Sequence, residues 1–512
     1  MEAEQPLQGA EEPYPGGFRT QLRRAGTFLR ARRVVMIGAG LVLLTIGVYF
    51  PALDSLMVAD DFRIVGQLSF DDAVRSLHDT VGYGRNEYRP AIAFSYAVSN
   101  WLWNGDLRGY HLESILFHAI NVVLLFAGLL LVTRSAAVSG MAAAVFAVHP
   151  IHDSRVVWIA ARDSLLSTLF TFLALIAYAR ARVGRAGSAA PSGASARLLI
   201  GLSTGFFALS LVCYEGAAVV PAIMAGMELF LFARPSQGLL SRMRTASAKT
   251  LPHTITLLVY LVWWAILFRG NVGQYDLSYA AGNVLRNYYS LFYQLFHGNA
   301  HLAGLLYFML LVLAFLLPRQ HRPLAGFSIL FMLIAFLPFV IIEGFARRFA
   351  YASAAGYAAL IALLIYACAI RKPAAARSAI RLISQPLAAL IFIVLAGYYI
   401  VDLRARISEW KTAGEIADSI PRQIKALYPD LPDGSKLVLA RIPHTYGHAY
   451  VYPLGLRSSV VRLYPGRNLR VIYGPGDLQA VVKNAELEGP DIYYFNYLPG
   501  KQGIEEVADF QK

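Results

Sequence analysis

Three features of the 512-residue chain predict a polytopic α-helical membrane protein carrying a small C-terminal α/β domain. Hydrophobic residues make up 57% and charged residues only 15%, whereas soluble domains carry about 25% charged residues. Apolar stretches long enough to cross a hydrocarbon core of about 30 Å recur from Val34 to Val401. In lipid each must satisfy its own backbone, which a helix does. After Val401 the composition turns polar, with short β-forming runs bounded by Pro and Gly.

Residues 1–33 read as a basic cytoplasmic tail, and residues 1–30 show no helical periodicity. The first apolar stretch follows Arg30, Arg32 and Arg33 without an Ala-x-Ala cleavage site, so it reads as a retained span. About eleven transmembrane helices are expected, at 34–51, 110–133, 136–149, 162–182, 196–213, 216–233, 251–268, 301–317, 324–342, 349–370 and 381–401. With the N-terminus inside, the inner loops hold Arg134; Arg180, Arg182, Arg185 and Arg197; Arg234, Arg242, Arg244 and Lys249; Arg319 and Arg322; Arg371, Lys372, Arg377 and Arg381. None of these loops contains Asp or Glu, as the positive-inside rule expects. That orientation accounts for the formal charge of +14 and argues against a nucleic-acid partner. An odd number of spans leaves the C-terminus outside. Cys213 and Cys368 both lie in apolar helices, so no disulfide framework is implied.

The first outer loop, about 52–109, contains Phe70–Leu77 with the spacing of a short amphipathic helix. Pro90–Trp103 follows as an apolar helix ending on Trp101 and Trp103, residues that favour the headgroup zone. Asn287–Tyr293 is a second interfacial candidate, and 183–196 reads as a linker. Residues 402–512 form the outer α/β domain: 402–420 helical and charged, then β-prone runs at Lys436–Arg441, Asn468–Tyr473 and Asp491–Tyr497.

The polar chemistry collects on the outer side. Asp60 and Asp61 directly follow span one; a carboxylate at a dry-walled interface can take a proton from a hydroxyl nucleophile, ligate a divalent ion or cap a helix end. Arg89, before Pro90, offers a planar fork suited to phosphate oxygens or to lipid headgroups, and Arg347 and Arg348 form a second outer cationic site. His149 and His152 flank Pro150 beside Asp153 and could bind metal, a sugar or backbone; His111 and His118 share one face of span two. Glu215, in the turn Cys213-Tyr214-Glu215-Gly216, needs an Arg or His partner. Two acids and two histidines permit Mg or Mn without a spacing that demands either. The tyrosines of the outer domain, Tyr446, Tyr450, Tyr452, Tyr464, Tyr473, Tyr493, Tyr494 and Tyr497, could stack on sugars or fill the sheet.

Over residues 34–370 the chain resembles the transmembrane and tetratricopeptide repeat-containing (TMTC-like) O-mannosyltransferases and their prokaryotic relatives. The resemblance rests on Asp60-Asp61-Phe62, Tyr88-Arg89-Pro90, Gly109-Tyr110-His111-Leu112, His118-Ala119-Ile120-Asn121 and Phe146-Ala147-Val148-His149-Pro150-Ile151-His152. It continues through Val157–Asp163, Tyr214-Glu215-Gly216 and Arg347–Tyr351. It implies a GT-C fold and inverting transfer of a sugar, mannose among the candidates, from a polyprenyl-phosphate donor to an acceptor hydroxyl on the extracytoplasmic face. Asp60 or Asp61 would be the catalytic base. Arg89, Arg347 and Arg348 would hold the donor phosphate. Tyr88, His111, His149, His152, Arg162, Asp163, Glu215 and Tyr351 would line the substrate pocket. The chain lacks the family's repeats, so the acceptor does not carry over, and Cys213-Tyr214-Glu215 stands where Ser-Lys-Glu is expected. A bacterial inner membrane is the expected location. The alternatives are a flippase or exporter of lipid-linked saccharide, and a non-catalytic membrane scaffold.

Overall fold

A computed structural model describes residues 16–78, 81–82, 85–183, 191–233, 236–268, 276–296, 312–370, 379–483, 487 and 491–507. Among these, seven helices are long and apolar enough to cross a membrane, and Ala136–Val148 and Ser353–Ala369 are shorter apolar helices. The protein is an integral membrane protein by this measure. Much of the span expected at 301–317, with Arg185, Arg269, Arg371, Lys372 and Arg377, lies outside the described residues.

The first helix, α1, covers Gly16–Tyr49. It therefore starts well before the apolar stretch at Val34 and takes in part of the chain that lacks periodicity. Once a span has nucleated, adding residues fixes one at a time for one bond each, so the helix runs on into polar sequence. The first loop after α1 then carries α2 (Asp61–Ile64), α3 (Phe70–Arg75), the short antiparallel pair β1 (Val81–Gly82) and β2 (Arg85–Asn86), and α4 (Pro90–Trp103). Ser69 and Asp72 form a capping box at the start of α3. Its expected amphipathic face is present: Phe70, Val74 and Leu77 are exposed, as is Trp101 on α4.

Helix α5 (Leu107–Thr133) starts on an Asp106 cap and ends on Arg134 in the left-handed region, φ 55°. Ser135 caps α6 (Ala136–Val148) by accepting from the Val138 amide. The chain then crosses the outer face as α7 (Asp153–Val157) between two short 3-10 turns, Pro150–His152 and Ile159–Ala161. It re-enters as α8 (Arg162–Arg182), followed by α9 (Gly193–Cys213), α10 (Val220–Phe230) and α11 (Leu239–Phe268). The second interfacial candidate is helical within α12 (Ala281–Leu295). The remaining helices of the membrane part are α13 (Arg322–Phe336) and α14 (Ser353–Ile370). These two meet at Gly356, where any Cβ would lie 2.5 Å from the Ser328 carbonyl oxygen. Small residues of this kind let helix backbones approach in lipid.

Helix α15 (Ala379–Leu427) runs unbroken through Val401 from apolar sequence into the outer region. Leu403, Ile407, Trp410, Ala413, Ala417, Ile420 and Ile424 are all buried along one helical face. On that face sits a sheet of β3 (Lys436–Ala440), β6 (Arg470–Tyr473), β7 (Ile492–Leu498) and β8 (Gly503–Glu506), in the order β6-β3-β7-β8. Strand β3 pairs parallel with both β6 and β7, while β8 returns antiparallel along β7. A two-stranded hairpin, β4 (Thr445–Tyr446) and β5 (Ala449–Tyr450), projects from the end of β3. Neither β8 nor this hairpin is anticipated by composition. Tyr452, Tyr464 and Tyr497 are buried, so these three outer tyrosines are filler and not sugar platforms.

The outer domain is docked on the first outer loop. The Ala59 amide donates to the Val451 carbonyl at 2.9 Å, and Phe62 stacks on Tyr452. Gly455, at φ +92°, allows this: a Cβ there would fall 1.9 Å from the Ala59 carbonyl oxygen. Gly455→Ala should therefore destabilise the docked state by roughly 1–3 kcal/mol or more through backbone strain and the clash. Limited proteolysis of residues 402–512 should accelerate in this variant while the membrane helices stay protected.

Candidate functional site

The segment His149–Asp163, built from two 3-10 turns and the short α7, touches most of the polar clusters on the outer face. Its C-terminal end meets Asp61, whose Oδ1 accepts from the Ala160 amide at 2.8 Å and whose Oδ2 accepts from Val58 at 3.1 Å. Asp61 is 1% exposed. Burial pushes its carboxyl up to about 7, against the pull of the Val58 and Ala160 amides. Asp60 is also buried, with the Arg63 guanidinium 3.6 Å from its Oδ1. Ala59, just before the pair, is held at φ +46°, a strained conformation for a residue with a Cβ.

At the start of α8, Asp163 is clamped between two guanidinium groups. Arg89 Nη1 donates to its Oδ2 at 2.7 Å and Arg155 Nη1 to its Oδ1 at 2.5 Å. Arg89 also makes a two-pronged contact with Glu215, Nε to Oε2 at 3.0 Å and Nη2 to Oε1 at 2.6 Å, with Glu87 2.9 Å from Nη1. The Tyr214 ring lies 4.6 Å from the Arg89 guanidinium carbon and 5.4 Å from that of Arg155. Glu215 thus finds its cation in Arg89, not in a histidine. The fork of Arg89, expected to hold the donor phosphate, is directed at Glu215, Asp163 and Glu87.

Arg347 differs. Its Nη2 donates to the Pro150 carbonyl at 3.1 Å and lies 3.8 Å from Asp153 Oδ1. Its Nε and Nη1 are buried and carry no hydrogen bond among the described residues. Arg348 Nη1 donates to the Tyr450 hydroxyl at 2.5 Å, and its guanidinium lies over Trp158 and Phe349. Tyr450 also packs on Trp158, 5.0 Å between centroids. The β4–β5 hairpin therefore closes over the cationic end of the site.

The histidines form a separate buried nest. His118 Nδ1 is 2.8 Å from the Tyr351 hydroxyl, which also accepts from Asn121 Nδ2 at 3.1 Å. His152 packs edge-on against Tyr351 and Phe146, and burial holds its imidazole neutral, well below the ordinary pKa. His149 bonds the Leu295 carbonyl and the Ile151 amide, and His111 bonds Ser55 O at 3.0 Å. Arg162 bonds Ser99 Oγ at 2.6 Å and Glu113 at 2.8 Å, and lies over Tyr96. Tyr88, at the loop end, donates to the Leu77 carbonyl. The expected lining residues His111, His149, His152, Arg162 and Tyr351 are buried in packing. Among the described residues no group of three or more His, Cys, Asp or Glu side chains is placed to hold a metal ion.

Sequence reasoning missed Arg155, Trp158 and Tyr214 as parts of the site. Arg155 and Asp163 are eight apart, a spacing without helical meaning until the 3-10 turns fold the segment back. Beneath the cluster, Ser164, Ser167, Thr168, Thr171 and Tyr214 line a cavity that also borders Phe172 and Phe331. Those two phenylalanines border a second, apolar cavity lined by Leu124, Leu129, Met227 and Phe327.

No family model matches the chain. Over 145 residues it is 28% identical to protein O-mannosyl-transferase TMTC3 of Homo sapiens, covering 28% of this chain and 15% of that protein. The mouse protein of the same name is 30% identical over 146 residues. The chain is similar to O-mannosyl-transferases. It spans about 15% of the length of these curated relatives. Among solved structures, ArnT from Cupriavidus metallidurans bound to undecaprenyl phosphate superposes at a TM-score of 0.49 with 13% identity, over 90% of this chain and 93% of that one. The Archaeoglobus fulgidus oligosaccharyltransferase tethered with an acceptor peptide gives 0.48 with 12% identity, over 87% and 64%.

The ion cluster and the buried acid each lend themselves to a stability measurement. Arg89→Ala leaves Asp163 and Glu215 facing one another, and removing one member of a buried ion cluster costs about 3–5 kcal/mol; the melting temperature in detergent should fall accordingly, with Arg89→Lys intermediate. Asp61 binds its proton more tightly folded than unfolded, at about 7 against 3.8. Its contribution to stability therefore declines as pH rises from about 4 to about 7 and stays low above that. Asp61→Asn should flatten this part of a melting-temperature profile against pH.

Proposed function

We propose that the protein is an integral membrane glycosyltransferase that moves a sugar from a polyprenyl-phosphate donor to an acceptor hydroxyl, with inversion, on the extracytoplasmic face. The observation that carries this reading is the shared segment His149–Asp163. It holds a carboxylate titrating at about 7 at one end, through Ala160, and a guanidinium with two unbonded buried donors at the other, through Pro150. The sequence similarity to O-mannosyl-transferases supports the same chemistry.

Asp61 is the base. A pKa near the working pH suits general base catalysis, and two backbone amides fix the carboxylate while leaving a lone pair on each oxygen. The acceptor hydroxyl gives its proton to Asp61 as its oxygen bonds to the anomeric carbon. The bond from that carbon to the phosphate oxygen breaks, and the electron pair leaves on the polyprenyl phosphate. Arg347 meets the developing negative charge with Nε–H and Nη1–H, which have no acceptor among the described residues to give up. Arg89 keeps Asp163 and Glu215 in register and acts by positioning. The hydroxyl-lined cavity at Ser164–Thr171, followed by the apolar one, suits the first isoprene units and then the chain. The location we assign is a bacterial inner membrane with the C-terminal domain in the periplasm.

The test is transfer from a radiolabelled polyprenyl-phosphate sugar in proteoliposomes. Asp61→Asn should lower turnover by about two to four orders of magnitude, the range of general base catalysis, while the protein stays folded and inserted. The wild-type rate should rise with pH through about 7, where Asp61 loses its proton. Arg347→Gln should lower donor use about tenfold or more, whereas Arg347→Lys should recover part of it. Unchanged turnover in Asp61→Asn sinks the base assignment, and movement of the labelled lipid across the bilayer without any transferred sugar identifies an exporter instead.

A further inference from the structure

Between the first outer loop and the docked C-terminal domain lies an open cleft of about 640 Å³. Phe62, Arg63 and Gln67 line one wall, and Ser458, Val461 and Arg462 the other. Its floor is the loop that carries the acid pair: Phe62 follows Asp61 in the chain, and Arg63 lies 3.6 Å from Asp60. Arg462 is built into the wall by one nitrogen, Nη1 donating to the Val65 carbonyl at 2.9 Å and to Phe62 O at 3.3 Å. Its Nη2 lies beside Gly66, 3.8 Å from where a Cβ would stand, and the side chain borders the cleft. Two guanidinium groups, those of Arg63 and Arg462, thus line one cleft together with Gln67 and Ser458.

The cleft also sits at the level of the lipid headgroups. Gln67 is three residues from Phe70, which with Val74 and Leu77 makes an exposed apolar stripe on α3. The Gly66 amide donates to Asn100 Oδ1, next to Trp101, which is 72% exposed. A short amphipathic helix and a Trp at one end of an apolar helix place this edge in the interface.

From this juxtaposition we infer that the cleft is the acceptor site and that it takes an anionic lipid headgroup, a phosphate bridged by Arg63 and Arg462 with its free hydroxyl turned toward the acid pair. The assignment of the acceptor rests on the transferase reading; the binding of an anionic headgroup does not. Arg fits because its fork matches phosphate oxygens in pairs. A lipid acceptor is favoured over a peptide because Gln67 on the cleft wall leads directly into the exposed apolar stripe of α3.

The experiment uses full-length protein with Ser458→Cys in a Cys368→Ala background, the other native thiol, Cys213, being buried. A neutral methanethiosulfonate reports the reaction rate of the thiol introduced in the cleft; the thiolate is the reacting form and an anionic surface lowers the local pH, so the rate is read relative to that of the control thiol. Protein is reconstituted in phosphatidylcholine vesicles with and without phosphatidylglycerol. Phosphatidylglycerol should slow the labelling about tenfold, the change that about 1.4 kcal/mol of binding produces. A Tyr446→Cys control on the exposed hairpin should not change. Adding Gln67→Glu, which sets a carboxylate against the phosphate while leaving the Arg462 docking bonds intact, should abolish the protection without shifting the melting temperature. Equal protection by free glycerol 1-phosphate points to a soluble phosphate and overturns the lipid assignment. Protection by a polyglutamate peptide alone, or by nothing, overturns the site. Loss of protection with sugar transfer intact removes this inference and leaves the transferase; protection in a protein that transfers no sugar does the reverse.

Discussion

The face of this protein that carries the acid pair is organised around the burial of Asp163 between Arg89 and Arg155. Two cations and the Asp163 carboxylate taken out of water cost several kcal/mol each, and only near-complete hydrogen bonding compensates for that, with Glu215 left partly exposed. The arrangement meets this demand with Glu215, Glu87, the Ala161 carbonyl, the Ser164 amide and the face of Tyr214. Once it forms, the start of α8 is pinned to the start of α4, and the preceding segment has few paths left. Asp61 is then braced by Ala160, Arg347 by Pro150, and the Arg348 carbonyl by Arg155 Nε.

This explains why a guanidinium in an attractive motif is not a ligand site by default. Arg89 has the residue type and the place for phosphate, and its fork is engaged by carboxylates in the structure. Arg347, in a looser motif, keeps buried N–H groups without an acceptor among the described residues, which is costly for the folded protein. Arg162 Nε and Arg406 Nη1 are buried without an acceptor as well, and Arg347 stands apart from them by its place on the segment that braces Asp61.

Hydropathy made the membrane helices legible, since their length and apolar character come from lipid alone. The beginnings of α4, at Pro90, and of α6, at Ser135, were also readable, because caps are local chemistry. Helix α1 before Val34, the passage of α15 through Val401, the β4–β5 hairpin and β8 were not. Each depends on what packs against it. The outer acids and cations were visible as a set, yet their pairing was hidden: Arg89 and Glu215 are 126 residues apart. The nest of His118, His152 and Tyr351 was equally hidden, since ring packing has no one-dimensional trace.

Helix α15 gives the molecule a mast. The rod that crosses the bilayer also carries the buried stripe from Leu403 to Ile424 on which the sheet is laid. A tilt of its membrane half cannot be absorbed by a hinge at residue 401 and must swing the sheet as a lever. Lipids of different thickness would then load the contact of Ala59 with Val451 and Gly455, next to Asp60, so bilayer thickness becomes a mechanical input to the acid pair.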